Sequence, residues 1–192
     1  IYYTHHHPTE EQRPITLCTY KHVGEYNCIG ELKANTIYNQ STLKPSEGIL
    51  YLRIINYICI NLSYTFESQL SANTTIQYSI NESVTGGRGW EKHFVLTPQT
   101  TINSTGTPLE LPIINTLQIN IIEVEQLVSD INQETGMYAA DCNITISPNI
   151  NTMAETTAGT INETFTPTLI ISFKYRTEEG DHITIDLSLI HI

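Results

Sequence analysis

Apolar and polar residues alternate along most of this chain, with the period of two that is typical of a strand with one buried face. Within Leu50–Phe66 the even-numbered positions from 58 to 64 are apolar or aromatic, and Cys59, Asn61 and Ser63 stand between them. Further runs rich in β-branched and aromatic residues are Thr75–Ile80, Trp90–Leu96, Cys142–Ile146, Thr168–Tyr175 and Ile183–Ile192. Many short strands separated by turn residues predict an all-β fold, and we expect an immunoglobulin-like β-sandwich of antiparallel strands.

One segment has the periodicity of a helix. Its apolar residues follow the spacing i, i+3, i+4 and i+7, which places them on a single stripe; they are Val124, Leu127, Val128 and Ile131. Gly136 follows the last turn, where a left-handed residue often ends a helix. The sequence therefore predicts one short α-helix at about 122–134 that flanks the sheets.

Turn-forming residues predict the longer connections. Proline cannot donate to a sheet ladder, so three prolines predict an irregular connection after Leu96; they are Pro98, Pro108 and Pro112. The Thr-rich residues 152–164 are expected to form a turn region. No linker divides the chain, so we expect a single β-sandwich domain at 14–192, preceded by a polar leader at 1–13.

The amino-acid composition argues against several classes of protein function. The formal net charge is −11 and only 15% of residues are charged. No Lys/Arg stripe is present to neutralise phosphates, which argues against a nucleic-acid partner. No run of 18 apolar residues occurs, so we expect no transmembrane segment within this chain. Surface polarity supplied by Ser, Thr and Asn is common in secreted proteins, and we expect an extracellular location at the cell surface.

Seven asparagines stand in Asn-X-Ser/Thr sequons, against about three expected from the content of Asn, Ser and Thr. They are Asn39, Asn61, Asn73, Asn81, Asn103, Asn143 and Asn162. The excess predicts N-linked glycans, although Thr-rich strands without sugar are the alternative. Because a glycan is bulky and solvated, each modified asparagine must lie at the surface. Asn61 and Asn143 lie inside strand-like runs, so we expect both to face outward.

Four cysteines in an oxidising context predict disulfides. Val23-Gly24 is expected to be the turn between strands at 15–22 and 25–33, which places Cys18 opposite Cys28. Directly opposed residues of an antiparallel pair lie close enough for a disulfide after a modest adjustment.

The remaining two cysteines, Cys59 and Cys142, are then predicted to form a second disulfide across a long loop. Metal binding is the alternative for cysteines, but no CxxC spacing occurs. His5, His6 and His7 are adjacent and would point to opposite sides of an extended chain. We therefore expect neither a metal nor another cofactor.

Motifs of catalysis are absent from the sequence. It contains no HExxH, nucleophile elbow, phosphate-binding loop or GxGxxG. Gly86-Gly87-Arg88-Gly89 is rich in glycine but has the composition of a turn. Asp181 and His182 are neighbours in a predicted exposed hairpin turn. We expect that the protein is not an enzyme.

Several short stretches together resemble an uncharacterised archaeal family of surface proteins. They are Tyr20-Lys21-His22, Tyr64-Thr65-Phe66, Gly89-Trp90, Glu134-Thr135-Gly136 and Phe165-Thr166-Pro167. In that family an extracellular β-rich domain sits between two membrane segments. The resemblance implies an archaeal surface location and a β fold, and it implies no catalytic residue.

Two functions fit these expectations. The chain is similar in class to the subunits of archaeal threads and bundling pili, glycosylated β-sandwiches in which a strand of one subunit fills the sheet of the next. Its partners would be copies of itself, and surface-layer proteins, with the leader 1–13 or the strand Ile183–Ile192 donated. The alternative is a membrane-anchored ectodomain with a binding or accessory role, which requires a hydrophobic helix encoded after Ile192.

Overall fold

The computed structural model of the protein describes residues 17–87, 89–137 and 141–188, so the predicted leader at 1–13 lies outside the described residues. In chain order the strands are β1 (Tyr20–Leu32), β2 (Thr42–Leu43), β3 (Leu50–Tyr51), β4 (Ile55–Ser68), β5 (Ala72–Gly86), β6 (Trp90–Thr105), β7 (Leu109–Asn120), β8 (Cys142–Thr156), β9 (Gly159–Phe165), β10 (Thr168–Lys174) and β11 (His182–Ser188). The helix α1 spans Ile121–Thr135, and Leu52–Ile54 forms a 3-10 turn.

The strands form two sheets that pack face to face. The four-stranded sheet has the order β2-β1-β4-β7, and the seven-stranded sheet has the order β3-β11-β10-β8-β5-β6, with β9 paired to the second half of β8. Every strand pairing is antiparallel. The predicted all-β sandwich, with a single α-helix among the described residues, is confirmed.

The core lies between the inner faces of the two sheets. The alternation predicted in Leu50–Phe66 is confirmed, since each even-numbered side chain from 58 to 64 is at most 1% exposed. Ile144, Ile171 and Phe173 supply the facing layer from the seven-stranded sheet and are fully buried. Burying one such side chain stabilises the fold by about 1.5–3 kcal/mol, so this layer accounts for much of the cohesion between the sheets.

The helix forms where its periodicity predicts it. Asn120 caps the N-terminus, because its side-chain oxygen accepts a hydrogen bond from the Ile122 backbone N–H at 3.1 Å. Gly136 ends the helix in the left-handed conformation with φ of 69°, and its N–H bonds to the Asn132 carbonyl. Val124 and Val128 are buried against the sandwich, so the helix closes one end of the core.

The predicted hairpin turn at Val23-Gly24 is wrong. Both residues lie within the single strand β1, which pairs with β4 along its whole length. Gly24 is required by packing, because a Cβ at this position would lie 2.9 Å from the ring of Phe165. A glycine inside a strand marks such a close approach as readily as it marks a turn.

The two predicted disulfides are also wrong, because the pairing of Cys18 with Cys28 depended on that hairpin and the second pairing followed from the first. Cys18 precedes β1 and contacts Ser68, whereas Cys28 lies ten residues further along the chain, opposite Ile60. Cys59 is on the outer face of the four-stranded sheet, and Cys142 is buried on the inner face of the other sheet. All four cysteines, which lie among the described residues, are therefore free thiols.

Two predicted irregular segments are strands instead. Pro98 lies within β6 and Pro112 within β7, and the two strands are joined by a short turn that contains Pro108. Both are edge strands, so a missing N–H can face solvent without breaking the ladder. The Thr-rich residues 152–164 form the end of β8 and most of β9.

A chain of polar groups crosses the core from one sheet to the other. His22 Nδ1 lies 2.6 Å from Tyr64 Oη, which lies 2.6 Å from Thr152 Oγ1. His22 and Tyr64 belong to the four-stranded sheet and Thr152 to the seven-stranded sheet. All three residues are at most 1% exposed, and His22 Nε2 has no hydrogen-bond partner among the described residues.

We expect this network to make stability depend on pH. Burial lowers the pKa of His22, and the nearby Glu163 carboxylate opposes that shift only partly. The imidazole of His22 is therefore protonated at a higher pH in the unfolded chain than in the folded chain. The contribution of neutral His22 to stability is present in full above a pH of about 6.5 and is lost as the pH falls below that value. The loss can reach about 1.4 kcal/mol for each pH unit, measurable by urea unfolding between pH 7 and pH 5.

Two variants test the assignment of this pH dependence. His22→Phe removes the titrating group, so its stability should change less over this range than that of the unmodified chain. His93→Gln serves as the matched control, because the His93 side chain is 71% exposed. A slope that is lost in His93→Gln and kept in His22→Phe contradicts the prediction.

Candidate functional site

One side of the sandwich is closed by the chain itself. β2 pairs with β1 in the four-stranded sheet, and β3 pairs with β11 in the seven-stranded sheet. The segment from Thr42 to Tyr51 therefore joins the two sheets along this side, and its residues Leu43 and Leu50 are each 1% exposed.

The opposite side is open. β6 ends the seven-stranded sheet and β7 ends the four-stranded sheet, so each has a row of backbone groups with no partner strand among the described residues. Proline interrupts each edge once, at Pro98 and at Pro112. This leaves Trp90–Thr97 and Ile113–Asn120 as two eight-residue stretches that are able to pair with a further strand.

A groove of about 490 Å³, the assembly groove, lies between these stretches and α1. Its walls are mainly apolar and come from both sheets and the helix; they include Val84, Phe94, Leu96, Leu117, Ile119, Val124 and Leu127. Phe94 is 36% exposed here, and Ile122 nearby on α1 is 61% exposed. Apolar surface of this kind on an open edge is typical of a site that another chain covers.

The groove also contains a carboxylate with no partner. Glu82 lies on the inner face, opposite Phe94 in the register of β5 and β6. Burial raises its pKa, and no described residue offers a compensating charge or hydrogen bond. Glu123 at the start of α1 adds a second carboxylate, and Lys92 covers the ring of Phe94 at 5.4 Å.

The sequon asparagines divide into two groups. Five side chains are exposed, namely Asn39, Asn73, Asn81, Asn103 and Asn162. Asn61 and Asn143 are partly buried, although both face outward from their strands as the alternation predicts. When the Asn61 amide is oriented so that its nitrogen faces acceptors, this nitrogen donates to the carbonyl oxygens of Ile60 and Asn115. Asn143 Oδ1 is buried without a partner among the described residues.

The predicted neighbours Asp181 and His182 stabilise a turn. Asp181 Oδ1 accepts a hydrogen bond from the Arg176 N–H at 2.8 Å, and His182 Nδ1 lies 2.9 Å from the Gly180 carbonyl oxygen. His182 is 8% exposed, so the prediction that it lies in an exposed turn is wrong. Among the described residues, no three His, Cys, Asp or Glu side chains gather as a metal site would require.

Sequence reasoning missed the assembly groove. Trp90–Leu96 and the helix were both predicted, but the intervening prolines suggested an irregular connection where the structure has two edge strands. The one indication in the sequence is Glu82, a charged residue at an inward position of an alternating strand.

Comparison with known proteins gives no assignment. No family model, no curated protein and no solved structure matches the chain. The resemblance to archaeal surface proteins therefore stays a hypothesis. In the part of the chain that the structure describes, no helix is long and apolar enough to cross a membrane.

Proposed function

We propose that this chain is a structural subunit of an extracellular archaeal filament, rather than an enzyme, and that it assembles by strand exchange between glycosylated copies of itself. The observation that carries this proposal is the assembly groove, an apolar opening between two unpaired edge stretches, Trp90–Thr97 and Ile113–Asn120, that are free of proline. A strand from a second copy would hydrogen-bond to β6 or β7 and would bury the exposed part of Phe94.

The leader at 1–13 is the segment that we propose to be donated. The alternative donor, Ile183–Ile192, is engaged in its own subunit, because β11 pairs with β10 at every position from His182 to Ser188. Removing this strand would break the seven-stranded sheet. The leader precedes β1 and takes part in none of the pairings described for β1–β11, so its donation would break neither of the two sheets.

The chemistry of the leader fits the groove. If residues 1–7 bind as a strand, Ile1 and Tyr3 point to the same side and can cover apolar walls. His5 and His7 follow on that side, and the groove contributes the carboxylates of Glu82 and Glu123. Imidazole groups opposite carboxylates would fix the register of the donated strand, through hydrogen bonds or, when the imidazoles are protonated, through ion pairs.

The groove variant Phe94→Glu is expected to abolish assembly. The new carboxylate would lie beside Glu82 in an apolar contact, which disfavours the donated strand while the partly exposed position leaves the monomer folded. The secreted chain is examined by negative stain and on gels run without boiling. Ile37→Glu is the matched control, since Ile37 is 62% exposed but lies away from the groove, and it should keep forming fibres.

The role of the leader as the donated strand is tested by mixing a leader peptide with chains whose own leader is altered. Chains in which every residue from 1 to 7 is replaced by Gly or Ser should stay monomeric, and a synthetic peptide of residues 1–13 should bind them but not bind the Phe94→Glu variant. Discrete monomers from the unmodified chain contradict the proposal and favour the anchored ectodomain. Fibres from the Phe94→Glu variant contradict the assigned groove.

A further inference from the structure

The outer face of the seven-stranded sheet carries five of the seven sequon asparagines. The register places Asn73 and Asn81 of β5, Asn103 of β6, Asn143 of β8 and Asn162 of β9 on this face. Most of their direct cross-strand neighbours are Ser or Thr, namely Thr75, Thr85, Thr105, Ser147 and Ser172. The outer face of the four-stranded sheet carries one sequon, at Asn61, among charged residues such as Lys21, Glu25 and Glu67.

Three of these sequons surround one exposed methionine. Met153 of β8 lies directly opposite Asn162 on one side and Thr75 on the other. Thr75 in turn lies opposite Asn103, and Asn73 lies two residues before Thr75 on the same face. Met153 is 44% exposed at the edge of a polar depression of about 550 Å³, which Asn73 and Asn103 also line.

The hydrogen bonds of two sequons leave the sugar-bearing atom free. Asn103 Oδ1 accepts a hydrogen bond from Thr75 Oγ1 at 2.9 Å, and Asn162 Oδ1 accepts one from Asn151 Nδ2 at 3.3 Å. The sheet thus holds each amide by its oxygen, and the nitrogen points away from these contacts. Asn61 has the reverse arrangement, since its nitrogen donates to two carbonyl oxygens.

We infer that the depression beside Met153 holds the proximal sugars of N-linked glycans on Asn73, Asn103 and Asn162. The first pyranose is bonded to the asparagine nitrogen, and neighbouring strands are about 4.8 Å apart, so the three first sugars lie within reach of one side chain. One face of a pyranose presents C–H groups, which cover the Met153 thioether and remove its apolar surface from water. Asn61 carries no glycan, because its nitrogen is engaged in the sheet.

This inference rests on glycosylation and does not depend on filament assembly. Its first test is a peptide map of the monomeric chain secreted from a host that glycosylates Asn-X-Ser/Thr. Asn73, Asn103 and Asn162 should be occupied and Asn61 unoccupied. Occupancy of Asn61, or absence of sugar from the three clustered sites, overturns the inference.

The second test measures oxidation of Met153 to the sulfoxide by dilute peroxide, with mass spectrometry as the readout. Met137, the other methionine of the chain, serves as internal control. We expect Met153 in the glycosylated chain to oxidise several-fold more slowly than in chain made without glycosylation, with Met137 unchanged. Trimming each glycan to its first sugar should preserve the protection.

Sequon variants distinguish protection of Met153 by the sugars from protection by the protein itself. Thr105→Ala and Thr164→Ala remove the sequons of Asn103 and Asn162 without changing either asparagine, and each should speed the oxidation of Met153. Thr105→Ser and Thr164→Ser keep the sequons and should keep the protection. Equal oxidation rates with and without sugar overturn the inference, whereas protection of Met153 in a chain that never forms fibres supports it and contradicts only the proposed filament.

Discussion

Replacing Phe165 with alanine is expected to lower the free energy of unfolding by about 3–5 kcal/mol. The ring of Phe165 is 2% exposed and lies over Gly24, which has no side chain of its own to fill the space. It also stacks on the His22 ring and lies tilted against the Tyr64 ring, with ring centroids 6.0 and 5.8 Å away. The truncation therefore opens a cavity between β9 and the four-stranded sheet that strand backbones cannot collapse into.

Urea unfolding at pH 7.5 measures this effect. Phe94→Ala is the matched control, because it removes the same atoms from a residue that is 36% exposed, and it should cost less than about 1.5 kcal/mol. A further variant, Phe165→Ala combined with Gly24→Ala, partly refills the cavity and should be less destabilised than Phe165→Ala alone. A loss for Phe165→Ala no greater than that for Phe94→Ala would contradict the packing described above.

Replacing Tyr64 with phenylalanine is expected to cost about 2–4 kcal/mol, although it removes a single oxygen atom. Tyr64 Oη contacts both His22 Nδ1 and Thr152 Oγ1, and all three residues are buried. Deleting the hydroxyl leaves two buried polar atoms without a partner. Burial raises the pKa of Tyr64 to about 12, so its hydroxyl is a neutral donor throughout the range of measurement.

A double-mutant cycle with Thr152→Val identifies the origin of this loss. In the unmodified chain, Thr152→Val should cost about 1 kcal/mol, because it removes one hydrogen bond while Tyr64 keeps His22 as a partner. In the Tyr64→Phe background the same change removes an orphaned hydroxyl, so it should be neutral or stabilising. Additive losses in the cycle would show that the three groups do not act as one network.

Tyr38→Phe provides the control for loss of a phenol hydroxyl. Tyr38 Oη donates to the Ile49 carbonyl at 2.7 Å in a partly buried loop, where water can replace the lost bond. We expect a loss of about 1 kcal/mol or less. The excess for Tyr64→Phe over Tyr38→Phe measures the penalty of burying unpaired groups between two sheets.

The amino-acid sequence by itself determined the local elements of this protein. Period-two alternation identifies the strands because it reflects which face of a strand is buried, and the even-numbered residues from 58 to 64 are buried as it predicts. The spacing of apolar residues and Gly136 identifies α1 for the same reason, since both are properties of contiguous residues. Short strands in series were sufficient to predict a sandwich.

Only the tertiary structure decided the role of residues whose partners are distant in the chain. Glycine is common in turns, but Gly24 lies within a strand, where the close approach of the Phe165 ring leaves no room for a side chain. Pro98 and Pro112 are compatible with strands because those strands are at sheet edges, and edge position depends on the order of all the strands.

The candidate sites also combine features that the sequence determines with features that only the tertiary structure decides. The sequence identifies each sequon and predicts that Asn61 and Asn143 face outward, but it does not contain the register that brings Asn73, Asn103 and Asn162 around Met153. The assembly groove likewise combines β6 and β7, which end different sheets. Alternation states which side of a strand is buried, whereas strand order and register arise from long-range pairing, which only the folded chain determines.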